Sequence, residues 1–397
     1  MRKWPLILSL LLLLTSCGRI ELNELIIVSG LGFDVSPEGM SMSIQLVNPG
    51  ATAKSKGATE SGGAGGAVYT YTISGSSITE IMEKARNMFS RKIYFAHLSV
   101  ILIGEEFAKS KGLLPILDYL ERFYQIRDNV NVFVAKESTA KELFSVYIPI
   151  QNMPSLSIAR RIDVYGGSMG LQKGVELQDI IRWNYGGYTE PVIPGIKKKI
   201  PEADAAQTAV LDDIDGNQKM FEMTGFAFFN DDKLAGWFTP GESRGWAFLG
   251  NNVDGFETTV ECPGYPDEII GVKFKETKGK LENLSTDPLS YKATLSAAAE
   301  VQEVTCPIAL ENGAQIKQIE KKAEEKLQRE MQQAFQTAVK NNVDMLGLRQ
   351  LLYENRYSEW KKIKDQWDKK FKMAQLDTSA DITIQQTGLR LKSVYEK

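Results

Sequence analysis

Leu25-Ile26-Ile27-Val28-Ser29-Gly30-Leu31-Gly32-Phe33-Asp34 and Met40-Ser41-Met42-Ser43-Ile44-Gln45-Leu46-Val47 are the two runs on which the reading of this chain turns. The first is mostly apolar and β-branched, the second alternates apolar with polar residues, and Pro37-Glu38-Gly39 lies between them. Alternation puts every second side chain on one face of a strand, and the Pro-Glu-Gly turn reverses the chain, so the pair predicts a β-hairpin.

Toward the C-terminus, residues 50–67 are small and of low complexity, with nothing to bury, and read as a loop. Strand character resumes over Val68–Ile73. Ser77-Ile78-Thr79-Glu80 is a capping box, after which Ile78, Ile81, Met82, Ala85, Met88 and Phe89 recur at helical spacing. A buried strand over Leu98–Ile103, a helix over Leu113–Phe123, a strand over Val130–Ala135 and a short helix from Thr139 complete an α/β module to about residue 150. Residues 151–222 carry Pro154, Pro191, Pro194 and Pro201 with glycine pairs at 166–167 and 186–187, and no element is assigned there. From Met223 the chain is β-rich: Gly225–Phe229 and Leu234–Phe238 flank the turn Asn230-Asp231-Asp232, and further strands are expected over Ile269–Lys275 and Tyr291–Val304.

The last ninety residues read as helix, helix, strand. Ile319, Ala323, Leu327, Met331, Ala334, Phe335 and Ala338 form one apolar stripe on a long helix from Ile316. A second helix is expected to carry Tyr353, Tyr357, Trp360, Ile363, Trp367 and Phe371 as an aromatic core stripe, and Asp381–Gln385 alternates as a closing strand. The expected fold class is α+β, or mixed α/β, in several domains, with helices packed on mixed sheets. The expected units are a leader over 1–16, an α/β domain over 17–200, a β-rich domain over 201–306 and a helix-helix-strand domain over 307–397.

Toward the N-terminus, Arg2 and Lys3 precede an uncharged apolar run, Trp4–Leu14, that is too short for a bilayer span, which needs about 20 apolar residues. It ends in Leu14-Thr15-Ser16-Cys17, the lipobox pattern of bacterial lipoproteins. Cleavage before Cys17 would leave that cysteine as the mature N-terminus, with diacylglycerol on its thiol and an acyl chain on its amine, enough for stable anchoring on the outer face of a cytoplasmic membrane. The 381 residues that remain of the 397 can form two or three domains with real cores. The leader holds two of the 47 basic residues and none of the 50 acidic ones, leaving 45 against 50 and a formal charge of −5, so nucleic acid is not an expected partner. With Cys17 lipidated, Cys262 and Cys306 remain as an even pair in a compartment that permits disulfides, and either a bridge or two buried thiols fits the sequence.

Chemistry-bearing motifs are sparse. The single histidine, His97, beside the strand at Leu98, rules out a free choice of Ser-His-Asp triad or multi-histidine metal site and reads as structural. Ala53-Lys54-Ser55 lacks the glycine and strand-to-helix context of a phosphate loop. Asp213, Asp215, Gly216 and Glu222 match four positions of a calcium loop, but the first position would be Leu211, so a turn of solvated acids is the better account. Lys197-Lys198-Lys199 and Lys321-Lys322 read as solvated faces. No catalytic residue, metal ligand or cofactor is assigned.

Glu21–Asp34, so soon after a lipobox, resembles the Ger(x)C family, the C subunits of spore germinant receptors. Ile103-Gly104-Glu105-Glu106-Phe107-Ala108, Gln125-Ile126-Arg127-Asp128 and Val134-Ala135-Lys136 are similar to its N-terminal region. Thr224–Trp237, with Asp232-Lys233-Leu234-Ala235-Gly236-Trp237, and later Asp344-Met345-Leu346-Gly347 and Trp360-Lys361, are similar to its C-terminal region, so that 201–397 together corresponds to that region. Cys17-Gly18-Arg19 departs from the aromatic and acidic residues that commonly follow the family's cysteine. The resemblance implies a non-catalytic lipoprotein on the spore's inner membrane, three domains of mixed structure, assembly with the integral membrane A and B subunits, and a small-molecule germinant bound by another subunit. The competing reading is a solute-binding lipoprotein, which should show two lobes, a hinge and a deep cleft; an extracytoplasmic enzyme is the weakest.

Overall fold

A computed structural model describes residues 24–47, 68–146, 151, 153–169, 174–199, 221–253 and 255–388. The lipobox residues Leu14, Thr15, Ser16 and Cys17, the small-residue loop at 50–67 and nearly all of the calcium-like turn lie outside them.

The hairpin expected at the start forms: β1 (Leu25–Ser36) pairs antiparallel with β2 (Gly39–Val47), with Ser36 opposite Gly39. Gly39 holds φ +121°, a conformation that side chains resist, which explains why glycine ends this turn. β3 (Val68–Gly75) adds outside β2, while β4 (Lys92–Tyr94) and β5 (Val100–Gly104) run parallel to β1 on its other side. β6 (Asn131–Ala135) and β7 (Val192–Lys198) extend the sheet in parallel, and β8 (Phe221–Asn230) and β9 (Lys233–Trp237) close it antiparallel. Pro194 is tolerated within β7 because the register with β8 shifts there.

The centre of this mixed sheet is buried on both faces, which is why its central strands read as continuous apolar runs. Ile101, Ile103, Val132, Val134, Ala227 and Phe229 point to one side, under α1 (Ile78–Met88), α2 (Glu105–Ser110), α3 (Leu114–Arg122) and, further along, α6 (Leu177–Gly186). Val100, Leu102, Phe133, Ala135, Phe226 and Phe228 point to the other, under α4 (Ala140–Phe144), α5 (Pro154–Met169) and α7 (Pro240–Leu249). The second core is continuous with a further sheet, β10 (Phe256–Cys262), β11 (Tyr265–Thr286), β12 (Leu289–Val304) and β13 (Gln375–Gln386), covered by α8 (Gly313–Asn341). The fold is thus mixed, with helices on mixed sheets in more than one domain. β8 and β9, read with the middle unit in the sequence, belong to the first sheet, whereas β10 to β12 belong to the second.

Two local expectations are corrected, and one stretch left without elements is filled. The single aromatic helix is instead α9 (Leu348–Asn355), α10 (Tyr357–Ile363), a 3₁₀ turn over Lys364–Gln366 and α11 (Trp367–Phe371), with the first break at Arg356. The breaks fold Trp360, Ile363, Trp367 and Phe371 into the core, while Tyr353 and Tyr357 stay 40% and 53% exposed. At α1 only half the capping box forms: the Ser77 hydroxyl accepts from Glu80 N–H at 3.2 Å, but the Glu80 carboxylate accepts from Ser76 N–H and Oγ. Within 151–222, where no element was assigned, α5, α6 and β7 are built, α5 starting at Pro154, where a missing N–H does no harm.

Candidate functional site

Segments distant in sequence converge on three charged nodes. In the first, the Asp34 carboxylate at the end of the Gly30–Asp34 run accepts from Ala140 N–H at 2.9 Å and Lys141 N–H at 3.0 Å. It thereby receives the N-terminus of α4, whose own capping box joins Thr139 and Glu142. A side chain at Gly32 would meet Ala140 Cβ at 2.7 Å, so the glycine lets α4 lie directly on β1. Burial raises the Asp34 pKa, and the two N–H donors oppose the shift.

In the second node, Glu105 Oε1 accepts from Trp237 Nε1 at 3.1 Å and Oε2 from Glu137 N–H at 2.7 Å, and Lys109 pairs with the same carboxylate at 3.0 Å. Lys136 Nζ stands 4.9 Å from the centre of the Trp237 ring. Glu105, Lys136 and Trp237 come from three of the segments compared above with the Ger(x)C pattern.

The third node joins the two sheets. Arg349 Nη2 donates to Glu190 Oε1 at 2.6 Å, Arg349 Nε lies 3.5 Å from Asp344 Oδ2, and Glu190 N–H donates to the Asp344 carbonyl at 3.0 Å. Asp344 caps α9 by accepting from Leu348 and Arg349 N–H, and Trp246 Nε1 donates to the Met345 carbonyl at 2.7 Å. Burial pushes the Asp344 carboxyl up to about 6, against the two N–H donors and Arg349, and burial likewise raises Glu190. A further ion pair, Arg244 with Glu330, fastens α7 to α8, and Gly245 brings the α7 backbone against that of Glu330.

Beside the third node is a cleft of about 400 Å³ whose walls include Tyr188, Arg349, Trp360, Lys364, Trp367 and Asp368. Tyr188 stacks on Tyr353 with ring centres 4.5 Å apart and meets Trp360 edge-on at 6.2 Å. These walls offer stacking surface and charge, the chemistry of recognition.

Of the site residues expected from sequence, Cys262 and Cys306 are both buried, their sulfurs adjacent and their Cα atoms 6.5 Å apart, within disulfide reach. His97 is exposed, edge-on to Tyr94 at 5.8 Å. Lys197 and Lys198, read as solvated, pair with Glu222 and Glu142, and Lys322 pairs with Glu261. Among the described residues no three His, Cys, Asp or Glu side chains are grouped to hold a metal, and no helix is long and apolar enough to cross a membrane.

Residues 18–198 match the spore germination protein N-terminal domain, and residues 224–388 match the spore germination B3/GerAC-like C-terminal domain. The chain belongs to the Ger(x)C family. Spore germination protein KC of Bacillus subtilis is 27% identical, with 97% of this chain and 95% of that protein covered, and GerQC of Bacillus cereus is 23% identical over 98% and 99%. The crystal structure of the GerBC protein shares the fold, with a TM-score of 0.55 at 15% identity, covering 89% of this chain and 96% of that one. The segments that marked the Ger(x)C resemblance therefore build the nodes: Asp34, Glu105, Lys136, Trp237 and Asp344 all bridge elements far apart in the chain. Arg349, Glu190, Arg244 and Glu330 escaped the sequence reading, since an Arg or Glu on a helix, or in a loop as Glu190 is, carries no local mark of a buried partner.

Proposed function

We propose that this chain is a lipid-anchored, non-catalytic subunit of a spore germinant receptor, held through Cys17 on the outer face of the inner membrane and assembled with the integral membrane A and B subunits. The small-molecule germinant binds another subunit, and this chain contributes protein contacts. The observation that carries the reading is the pair of germination-domain matches in sequence order, with relatives of matching length named for spore germination. The joint between the sheets adds support: the continuous core and the Arg349–Glu190 pair give a packed seam rather than the hinge a solute-binding lipoprotein needs. That competing reading has the cleft beside Trp360 in its favour.

Two measurements separate the readings. Affinity purification of the tagged chain from detergent-solubilised spore membranes should bring down two multi-span proteins, and recovery of an intact but solitary chain would overturn the receptor-subunit reading. Calorimetric titration with amino acids and sugars should show no binding; micromolar heats would favour direct capture.

A further inference from the structure

The first described strand begins eight residues after Cys17, and eight extended residues reach at most about 28 Å. On the lipid-anchor reading, the start of β1 is therefore held close to a bilayer surface. Lys92 of β4 sits in register with Leu25 at that end of β1. There a cleft of about 500 Å³ opens, its walls including Arg86, Phe89, Arg91, Lys92, Phe95 and Phe123. The stretch Arg86-Asn87-Met88-Phe89-Ser90-Arg91-Lys92 holds three cations and no acid, and all three are exposed. Among the described residues no carboxylate forms an ion pair with any of them, whereas Lys84, on the same helix as Arg86, and Lys109, on α2, each hold two. Met88 and Tyr124, next in sequence to the cleft residues Phe89 and Phe123, are 56% and 89% exposed.

We propose that this surface rests on the anionic phospholipid headgroups of the membrane that carries the anchor. The mature chain's charge of −5 makes an anionic bilayer repel the body in general. Cations gathered at the tether's end reverse that locally and set the orientation of the body, each being worth roughly a five-fold gain in affinity. Met88 and Tyr124 are suited to the headgroup boundary, where side chains with apolar bodies settle. The proposal rests on the lipid-anchor reading, so its test records anchoring separately.

The lipidated full-length chain carrying Met88→Cys, labelled with an environment-sensitive dye, is reconstituted into phosphatidylcholine vesicles with or without phosphatidylglycerol, and flotation reports anchoring. The dye emission should shift to the blue only with phosphatidylglycerol. The shift should vanish in the combined variant Arg86→Gln, Arg91→Gln, Lys92→Gln, and in the unsubstituted surface near 0.5 M salt, where the Debye length falls to roughly 4 Å. Floating vesicles with unresponsive dye overturn the headgroup surface alone. A chain that fails to float overturns the anchor reading and this proposal with it. Dye that responds only when the partner subunits are added, whatever the lipid, overturns it in favour of a protein interface. Salt dependence in the unmutated background keeps the test independent of variant folding.

Discussion

Arg349 and Glu190, 159 residues apart, meet at 2.6 Å with only 21% and 15% of their side chains exposed, and their contact links the two sheets of the molecule. Removing one partner of a buried pair leaves the other charge without compensation, and here Asp344 would lose its neighbour as well. Arg349→Ala should lower unfolding stability by about 3 kcal/mol in urea titration, and Arg349→Lys should restore part of it, since an ammonium supplies charge without the fork. An unchanged midpoint for the alanine variant would show the seam to be held by apolar packing alone.

Stability should pass through a maximum on the acid side of neutrality. Burial raises Asp344 to about 6 from an ordinary 3.8 and raises Glu190 and Asp34 as well. A raised acid binds protons more readily folded than unfolded, so its contribution is full below the unfolded value and lost as pH rises through the folded one. Glu80, held at about 2 chiefly by Lys84, and Glu142, lowered against its burial by hydrogen bonds, act oppositely: their contribution is present above the ordinary 4.5 and lost as pH falls. Melting temperatures measured across pH should therefore rise from pH 7 toward about 5 and fall below about 4. Asp344→Asn should flatten the upper limb, and a wild-type curve that only declines with acid would contradict this assignment.

Trp367 is 5% exposed, stacked on Phe371 at 5.5 Å and edge-on to Trp360 at 5.5 Å. Trp367→Ala should cost about 3 to 5 kcal/mol and expose the C-terminal helices to protease. Tyr357→Ala, at an exposed end of the same stripe, should cost less than about 1 kcal/mol. Thermal melts of the two variants compared side by side decide whether the core begins at Trp360.

Cys262 and Cys306 should form a disulfide in the mature protein. The intact mass without reductant should be lighter by two hydrogens than after reduction, and the double serine variant should lose about 4 kcal/mol by the loop-closure relation. Alkylation of both thiols in unreduced, unfolded protein would rule the bridge out.

Cys17→Ala should yield a chain that is unprocessed or released from membranes, because that thiol is the acceptor for diacylglycerol. Metabolic labelling with a radioactive fatty acid should mark the wild type only. Equal label in both would remove the lipid anchor from the account.

The sequence by itself determined those features whose causes lie within a few residues. The hairpin over residues 25–47 follows from strand alternation and a turn glycine, the short helix after Thr139 from its capping box, and the long α8 from an apolar stripe repeating every turn. The family segments were legible for the same reason, as contiguous strings. Only the tertiary structure decided which sheet receives β8 and β9, where the aromatic stripe breaks, and which charged residues are buried in pairs. Those outcomes depend on groups such as Glu190 and Arg349, whose burial is tolerable only when a partner from a distant segment arrives with the opposite charge, and no local pattern records that meeting.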